Sequence, residues 1–257
     1  MHRLARTLDG LAGRLTNRVI RLTPRDVVRV ATDVPIVSFT FDDVPDTALT
    51  AGATILERHG ARGTFYVAGG LAGRREPDRT LITAEGCRAL AARGHEIGCH
   101  TFAHRNTRHV GAAAFDADHA ENARYLDAVD RPRPTRNFAF PYNAGSLARR
   151  RTLARTYRTC RAAGEAINRG PMDPGFVAAV EIRQPEEHAR SLTRWIDDVV
   201  ERPGWLVFFT HDIAAVPTPY GCTPETFARL VAYAVERGCV VASVAAALDR
   251  MSLRTAP

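Results

Sequence analysis

The sequence predicts an α/β protein built as a (β/α) barrel of seven or eight strands, and three observations support this. Short apolar segments of strand length alternate with amphipathic helices from about residue 34 onward. Some of these segments, such as 206–209, are apolar at every position, which is typical of parallel strands covered by helices. The chain of 257 residues is long enough for one domain with a substantial core. A doubly wound open sheet is the alternative arrangement of the same elements.

The strands and helices can be placed individually from apolar runs and from their end signals. The predicted strands are 36–41, 64–68, 96–99, 137–140, 157–161, 179–182, 206–210 and 240–244. Helices are predicted at 49–59 and 84–93, each followed by a glycine, and at 224–237 with Thr223 as its N-cap. We therefore expect a barrel domain at 34–251, a basic, helical N-terminal extension at 1–33, and a tail at 252–257.

The N-terminal extension has leucines at helical spacing among arginines, ending with Leu15 and Val19. This pattern predicts a helix docked on the domain or on a partner subunit, with a helix lying on a membrane surface as the alternative. The first 33 residues contain no apolar stretch of the length that a signal peptide or a membrane helix needs. The five cysteines are scattered, which is typical of reduced thiols. We therefore expect a cytoplasmic protein, with peripheral association at the inner membrane face as an option.

The charge of the chain favours anionic partners. All 35 basic residues are arginine, the net charge is +7, and the pI is about 9.6. Acidic glycans, lipid phosphates and membrane surfaces all suit such a charge. Nucleic acid is not expected as a partner, because the sequence has no basic patch interleaved with aromatic residues and no nucleic-acid motif. The sequence does not indicate an oligomeric state.

Polar residues of the kinds that bind metals follow three of the predicted strands. They are Asp42 and Asp43 after the first strand, His100 and His104 after the third, and His211 after the seventh. The carboxyl ends of the strands of a barrel meet at one rim, so these side chains are expected to come together. Two histidines four residues apart on a helical turn would chelate one ion. An aspartate pair alone fits an Asx-turn or a helix cap equally well.

Four segments resemble motifs of the polysaccharide deacetylase family, the NodB-homology domain of carbohydrate esterase family 4. They are Thr40-Phe41-Asp42-Asp43 for T-F-D-D, His100 to His104 for H-[ST]-x-x-H, Ala139-Phe140-Pro141-Tyr142 for R-x-P-Y, and Phe209-Thr210-His211 for L-x-H. The likeness covers about 34–251. It implies a deformed (β/α) barrel of NodB-homology type that removes acetyl groups from sugars with the help of a divalent metal.

By this resemblance, Asp43, His100 and His104 would bind the metal and leave one position open for water. Nitrogen and oxygen ligands without thiolate suit Zn²⁺, which we expect, although Co²⁺, Ni²⁺ or Mn²⁺ would also suit such a site. Thr101, between the two histidines, is expected to tighten their loop through a hydrogen bond.

The resemblance also assigns the groups that handle protons and substrate. Asp42 would be the general base, and His211 would be the general acid that protonates the leaving amine. The backbone N–H of Tyr142 would help to form an oxyanion hole. Phe140 and Pro141 would lie beside it in the substrate-binding region.

The chain departs from the family pattern at three places. Val44 follows the aspartate pair where the family usually has glycine, and Ala139 stands where the family usually has arginine. The family's fourth motif, D-x-x-D-W, is absent. In the family that motif holds the arginine, which in turn contacts the base. Arg161 is the candidate replacement in the substrate-binding region, and an arginine at the surface or core edge is the alternative interpretation.

The sequence thus predicts a hydrolase that removes an N-acetyl group from an amino sugar. A glycan, or a sugar precursor linked to a lipid or a nucleotide, would be its substrate. A deformylase or another small-amide hydrolase is the alternative within the enzyme class. A carbohydrate-binding barrel without turnover is the alternative outside it, because Ala139 and the absent fourth motif remove two catalytic partners.

Overall fold

The computed structural model describes residues 2–131, 136–183 and 191–255, and side chains within 12–251 of these ranges. Eight α-helices are described: α1 His2–Leu22, α2 Thr54–Arg58, α3 Ala84–Ala92, α4 Ala112–Val129, α5 Arg150–Thr156, α6 Leu192–Glu201, α7 Pro224–Glu236 and α8 Val244–Arg250. Eleven strands are described: β1 Val28–Ala31, β2 Ile36–Asp42, β3 Thr64–Val67, β4 Glu96–Cys99, β5 Arg136–Ala139, β6 Tyr157–Arg161, β7 Gly170–Met172, β8 Val180–Glu181, β9 Trp205–Thr210, β10 Val240–Val241 and β11 Ser252–Thr255.

The main sheet is parallel and curled, in the order β6-β5-β4-β3-β2-β9-β8. β10 pairs with the start of β2, on the edge that β3 occupies further along. The segment before β8 approaches the end of β6, where Ala162 N–H donates to Val177 O over 2.9 Å. The predicted deformed barrel is therefore confirmed, and the open doubly wound sheet is not the arrangement adopted.

Every predicted strand is present, and two elements differ in detail. The strand predicted at 240–244 ends at Val241, because Ser243 caps α8 by accepting from Ala246 N–H over 3.3 Å. The helix predicted at 49–59 begins as a π-helical segment, Ala48–Ala53, before α2. The predicted N-cap Thr223 is confirmed, since its hydroxyl oxygen accepts from Thr226 N–H over 3.2 Å.

Alternation along β2 separates the helix-covered face from the barrel interior. All seven of its residues are buried. Phe39 and Phe41 pack under the helices, where Phe41 stacks on Phe65 with ring centroids 4.5 Å apart. Ser38 lies on the opposite face and accepts a hydrogen bond from the indole N–H of Trp205 over 2.9 Å. Because successive strand residues face opposite ways, Asp42 extends the Ser38 series at the carboxyl end of the strand.

The segments outside the main sheet pack onto it. α1 docks through Asn17, whose side-chain amide donates to Asn143 O and accepts from Gly145 N–H, and through the buried Ile20. Docking on the domain was predicted, but Leu15 and Val19 of the apolar stripe are exposed, as is Leu22 at the end of the helix. No helix within the described ranges is long and apolar enough to cross a membrane.

The predicted extension and tail also differ from the structure. β1 pairs with β11 and β7 in a small antiparallel sheet. The predicted boundary at residue 34 therefore falls after a strand, and residues 252–255 form a strand rather than a loose tail. This pairing could not be read from apolar alternation, because β1 is only four residues long and half exposed.

A buried carboxylate joins four elements at the amino-terminal end of the barrel. Glu96, at the start of β4, accepts hydrogen bonds from Thr64 Oγ1, Asn137 Nδ2 and the backbone N–H of Ala245 in α8. The distances are 2.9, 2.6 and 2.8 Å. The carboxylate thus satisfies a backbone donor at the start of a helix as well as two strand side chains. We therefore expect it to contribute more to the free energy of unfolding than a surface acid does.

We predict that Glu96→Gln destabilises the protein by about 2 kcal/mol, because the amide places an N–H against a buried donor. Urea unfolding measures the change. The control is Glu85→Gln on α3, whose carboxylate is 79% exposed and forms a surface ion pair with Arg88. That variant should change the unfolding free energy by less than about 0.5 kcal/mol. Equal losses in the two variants would show that the network contributes no special stability.

Candidate active site at the carboxyl end of the barrel

Three potential metal ligands come together at the rim. Asp43, His100 and His104 each place a ligand atom within 4.8 Å of the others. Asp43 Oδ1 lies 3.0 Å from His104 Nε2 and 3.6 Å from His100 Nε2. Although close to both imidazoles, this buried oxygen has no hydrogen-bond partner among the described residues. An unpartnered carboxylate oxygen facing two imidazole nitrogens fits a divalent cation such as Zn²⁺.

The atoms behind the ligands fix their orientation. His100 Nδ1 lies 2.8 Å from Ala139 O, so this nitrogen donates to the carbonyl and Nε2 carries the lone pair that faces Asp43. Arg79 Nη2 donates to Asp43 Oδ2 over 2.9 Å, which leaves Oδ1 toward the histidines. Nothing in the sequence marked Arg79 as a site residue, because it lies 36 positions away in a loop.

Burial and charge set the protonation states of these ligands. Burial lowers the pKa of His100 to about 4, so its imidazole is neutral at pH 7 and able to bind a cation. Burial acts to raise the pKa of Asp43, but the neighbouring charges of His104, His100, His211 and Arg79 together outweigh it. The pKa of Asp43 is therefore held well below its usual value. Burial also lowers the pKa of His104, so all three side chains favour the states that metal binding requires.

The two histidines lie on a loop, not on the helical turn that the sequence predicted. Residues 100–105 contain no helix, and both Thr101 and His104 have positive φ, at 62° and 50°. The predicted hydrogen bond of Thr101 is wrong, since its buried hydroxyl has no partner among the described residues. Asp118 on α4 holds the loop instead, accepting from the N–H groups of Phe102 and Ala103 over 2.7 and 2.9 Å.

Backbone strain concentrates at this rim. Eight described non-glycine residues have positive φ, and six of them belong to the three site loops: Asp43, Val44, Thr101, His104, Tyr142 and Asn143. Val44 occupies the position where the family usually has glycine, with φ at 54° and a fully buried side chain. A β-branched residue in this conformation costs of order 1–3 kcal/mol, so the surrounding packing must impose it.

The predicted base, Asp42, is paired with Arg161. Arg161 Nη2 donates to Asp42 Oδ2, and its Nη1 donates to Asn143 Oδ1 over 2.7 Å. The guanidinium is buried and lies over the Phe209 ring, 4.6 Å from its centroid. Asp42 Oδ1 has no hydrogen-bond partner among the described residues, so one oxygen remains available. The alternative of a surface or core-edge arginine is wrong for Arg161.

Strand register explains how Arg161 reaches this position. Ala139 on β5 pairs directly with Arg161 on β6. Paired residues of neighbouring parallel strands project on the same side of the sheet, so a side chain at either position enters the same space. The arginine absent at 139 is therefore replaced by one on the adjacent strand, which no linear motif reveals.

His211 follows β9 and lies near the ligand cluster, where its charge acts on Asp43 and His104. Its Nδ1 is 3.2 Å from Tyr220 O, so Nδ1 donates to the carbonyl and Nε2 is left for other partners. Asp212 does not orient the imidazole. It caps the following loop by accepting from the N–H and hydroxyl of Thr218 over 2.8 and 2.5 Å.

The third motif forms a tight turn after β5. Tyr142 is exposed, with φ at 57°, and its ring centroid lies 4.7 Å from that of His104. Phe140 and Pro141 are buried, and Phe140 packs against Phe138 and Phe176. Phe140 and Pro141, predicted for the substrate-binding region, lie beside Tyr142, and their buried side chains shape the turn that presents it.

A family model described as polysaccharide deacetylase matches residues 29–158. The match spans half of the chain and includes the aspartate pair, the two histidines and the turn at Tyr142. The chain belongs to the polysaccharide deacetylase family. No sequence among curated proteins matches it at a significant level.

Solved structures of this family share the fold. A carbohydrate esterase family 4 pseudoenzyme from Bacillus anthracis has a TM-score of 0.59 at 15% identity, over 86% of this chain and 68% of that one. A peptidoglycan N-acetylglucosamine deacetylase has a TM-score of 0.58 at 14% identity, over 85% of this chain and 90% of that one. A third structure is a family 4 acetyl xylan esterase from Clostridium thermocellum in complex with a cobalt ion. Its TM-score is 0.55 at 20% identity, over 83% of this chain and 90% of that one.

We predict that Arg161→Ala destabilises the protein by about 3–5 kcal/mol, because it leaves the Asp42 carboxylate buried without its cation. Adding Ala139→Arg should recover much of this loss, since the new guanidinium enters from the neighbouring strand. Urea unfolding of the single and double variants measures the recovery. The control pair, Arg161→Ala with Ala139→Met, restores volume but no charge. If both double variants are equally stable, the cation at 139 does not replace Arg161.

Proposed function

We propose that the protein is a metal-dependent deacetylase that hydrolyses the N-acetyl group of an amino sugar in a glycan or a glycan precursor. The observation that carries this proposal is the pair of unpartnered carboxylate oxygens on adjacent residues, Asp42 Oδ1 and Asp43 Oδ1. The first belongs to a carboxylate held by a buried arginine, and the second faces two imidazoles. One carboxylate is thus arranged for proton transfer and the other for metal binding.

Asp43, His100 and His104 would hold the cation, and Zn²⁺ is the ion that their nitrogen and oxygen atoms suit best. A divalent cation bound there would polarise the acetyl carbonyl and acidify water. Co²⁺, Ni²⁺ and Mn²⁺ remain alternatives to be distinguished by metal analysis.

Asp42 would accept a proton from the attacking water, with Arg161 keeping the carboxylate oriented through Oδ2 while Oδ1 faces the reaction. The N–H of Tyr142 would donate to the oxygen that becomes negative as the hydroxyl adds to the carbonyl carbon. The carbon–nitrogen bond then breaks as His211 Nε2 donates a proton to the amine. The carbonyl of Tyr220 stabilises the charged imidazole through Nδ1. Acetate and a free amino sugar are released.

The geometry of the Asp42–Arg161 pair weakens the main argument for the alternative, a carbohydrate-binding barrel without turnover. That argument rested on the alanine at 139 and on the absent fourth motif, which in the family supply and hold a cation at the base. Arg161 places a guanidinium on Asp42 and is itself held by Asn143. A site that had lost its reaction would have no reason to keep a replacement cation together with the ligand set and an imidazole at the rim.

We also propose that the substrate is met in the cytoplasm or at the inner membrane face. The five cysteines are buried and unpaired, as expected for a protein of a reducing compartment. The exposed apolar residues of α1, Leu15, Val19 and Leu22, alternate with arginines and would suit peripheral contact with a membrane.

We predict that the purified protein releases acetate from N-acetylglucosamine oligomers, and that chelation abolishes the release. Asn at position 42 keeps the size of the side chain but removes the base, so Asp42→Asn should lower turnover by about 10²–10⁴-fold. Elemental analysis should still find about one divalent ion per chain in this variant. His104→Ala should instead lose metal and turnover together. If Asp42→Asn also loses its metal, Asp42 is a ligand and not the base.

We predict that the effect of His211→Ala depends on the leaving group. An amine is too basic to leave without a proton, so hydrolysis of N-acetyl sugars should fall by at least about 10²-fold. An aryl acetate expels a weakly basic phenolate, so much of that activity should remain. Steady-state rates on both substrates with the same metal-loaded variant make the comparison. Equal losses on the amide and the ester would place His211 in binding or folding, not in proton donation.

A further inference from the structure

A long groove leads away from the ligand cluster along the N-terminal helix. Its volume is about 1260 Å³, and it runs from His104, Tyr142 and Tyr220 to Arg14 and Asn17 of α1. Pockets for single small ligands usually enclose about 300–1,000 Å³, so this groove has room for more than the one sugar that carries the acetyl group. We refer to it as the arginine groove.

The charge along the arginine groove has a single sign. Arg14, Arg105 and Arg108 line it, and none of its lining residues is an aspartate or a glutamate. The side chains of Arg14 and Arg105 are exposed, and neither has a hydrogen bond or an ion pair with the described residues. Two other arginines at this end of the barrel are already paired, Arg79 with Asp43 and Arg161 with Asp42. Cations without an anionic partner beside a reactive centre are available to a ligand.

α1 is built into one wall of this groove. The guanidinium of Arg108 packs on Gly13, where an added Cβ would lie 2.8 Å from Nη1. Asn106 Oδ1 fixes Arg108 from the other side, accepting from its backbone N–H over 3.1 Å. Glycine at position 13 thus lets the helix approach the loop that carries His104, and this approach brings Arg14 and Arg105 to the same groove.

We propose that the arginine groove binds an anionic group of the substrate, a carboxylate or a phosphate on a residue next to the N-acetylated sugar. The proposal rests on the deacetylase function proposed above and adds the substrate class. Guanidinium groups pair with both anions through two parallel hydrogen bonds, so the groove would favour a negatively charged group that presents two oxygens. The two sources, a uronic acid within a glycan and a phosphate of a carrier-linked precursor, share this chemistry and are separated by the test.

The test compares three substrates of matched length with the metal-loaded full chain. They are a neutral N-acetylglucosamine oligomer, an oligomer that alternates N-acetylglucosamine with a uronic acid, and a neutral oligomer with a phosphate at its reducing end. At low salt, kcat/KM for one of the anionic substrates should exceed that for the neutral one by about tenfold or more, equivalent to about 1.4 kcal/mol. The substrate that is preferred identifies the source of the anion.

The double variant Arg14→Gln/Arg105→Gln should reduce this preference by about fivefold or more, because both unpaired cations are removed. The control is Arg58→Gln, an exposed arginine on α2 that lies outside the groove. In this control variant, the ratio of kcat/KM for the anionic substrate to that for the neutral one should match the wild-type ratio. Raising the salt concentration should also reduce the wild-type preference, since exposed charges are screened. This salt dependence decides the question if the double variant does not fold.

The possible failures can be told apart. Turnover without preference for either anion, or a preference that survives both the double variant and high salt, overturns the arginine groove and leaves the deacetylase proposal standing. If no acetate is released from any substrate, the deacetylase proposal fails. Calorimetric binding of the same three oligosaccharides to Asp42→Asn then tests the groove without turnover, and equal affinities for the neutral and anionic ones overturn it.

Discussion

The buried ion pair between Asp42 and Arg161 is the interaction on which the site depends. It joins the end of β2 to the end of β6 across the interior of the barrel, and Asn143 fixes the guanidinium from the third motif. A lone charge at this depth would cost several kcal/mol, so each partner is tolerated only because the other is present. The pair also occupies Oδ2 of Asp42 and leaves Oδ1 without a hydrogen-bond partner among the described residues.

The loops of the rim are held by groups that carry no motif. Asp118 binds the backbone of the histidine loop, and the carbonyls of Ala139 and Tyr220 orient His100 and His211. The contacts of Asp118 hold a loop in which Thr101 and His104 have left-handed backbones that their side chains disfavour. Strain of this kind persists where neighbouring contacts over-determine the backbone, and here it fixes the direction of the ligands.

The buried carboxylates at the two ends of the barrel differ in how fully they are hydrogen-bonded. At the amino-terminal end, Glu96 ties β3, β4, β5 and α8 together through neutral donors, at the opposite end of the strands from Asp43, His100 and His104. At the carboxyl end, carboxylate oxygens are left without hydrogen-bond partners among the described residues. The carboxylate at the amino-terminal end is therefore saturated with donors, whereas those at the carboxyl end keep oxygens that a ligand could contact.

The sequence by itself determined the strands of the main sheet, their parallel arrangement and the residues of the Asp43–His100–His104 cluster. Apolar runs report burial directly, and each metal-binding motif lies within five consecutive positions of the chain, as in Asp42–Asp43 and His100 to His104. It also singled out Arg161, but it could not show which group that arginine contacts.

Only the tertiary structure decided that Arg161 stands in register with Ala139, that Arg79 and Asp118 support the ligands, and that α1 forms a wall of the groove. These contacts join residues on separate elements, such as Arg161 and Asp42, which are 119 positions apart. Their partners are chosen by strand register and packing, which no local pattern of residue types encodes.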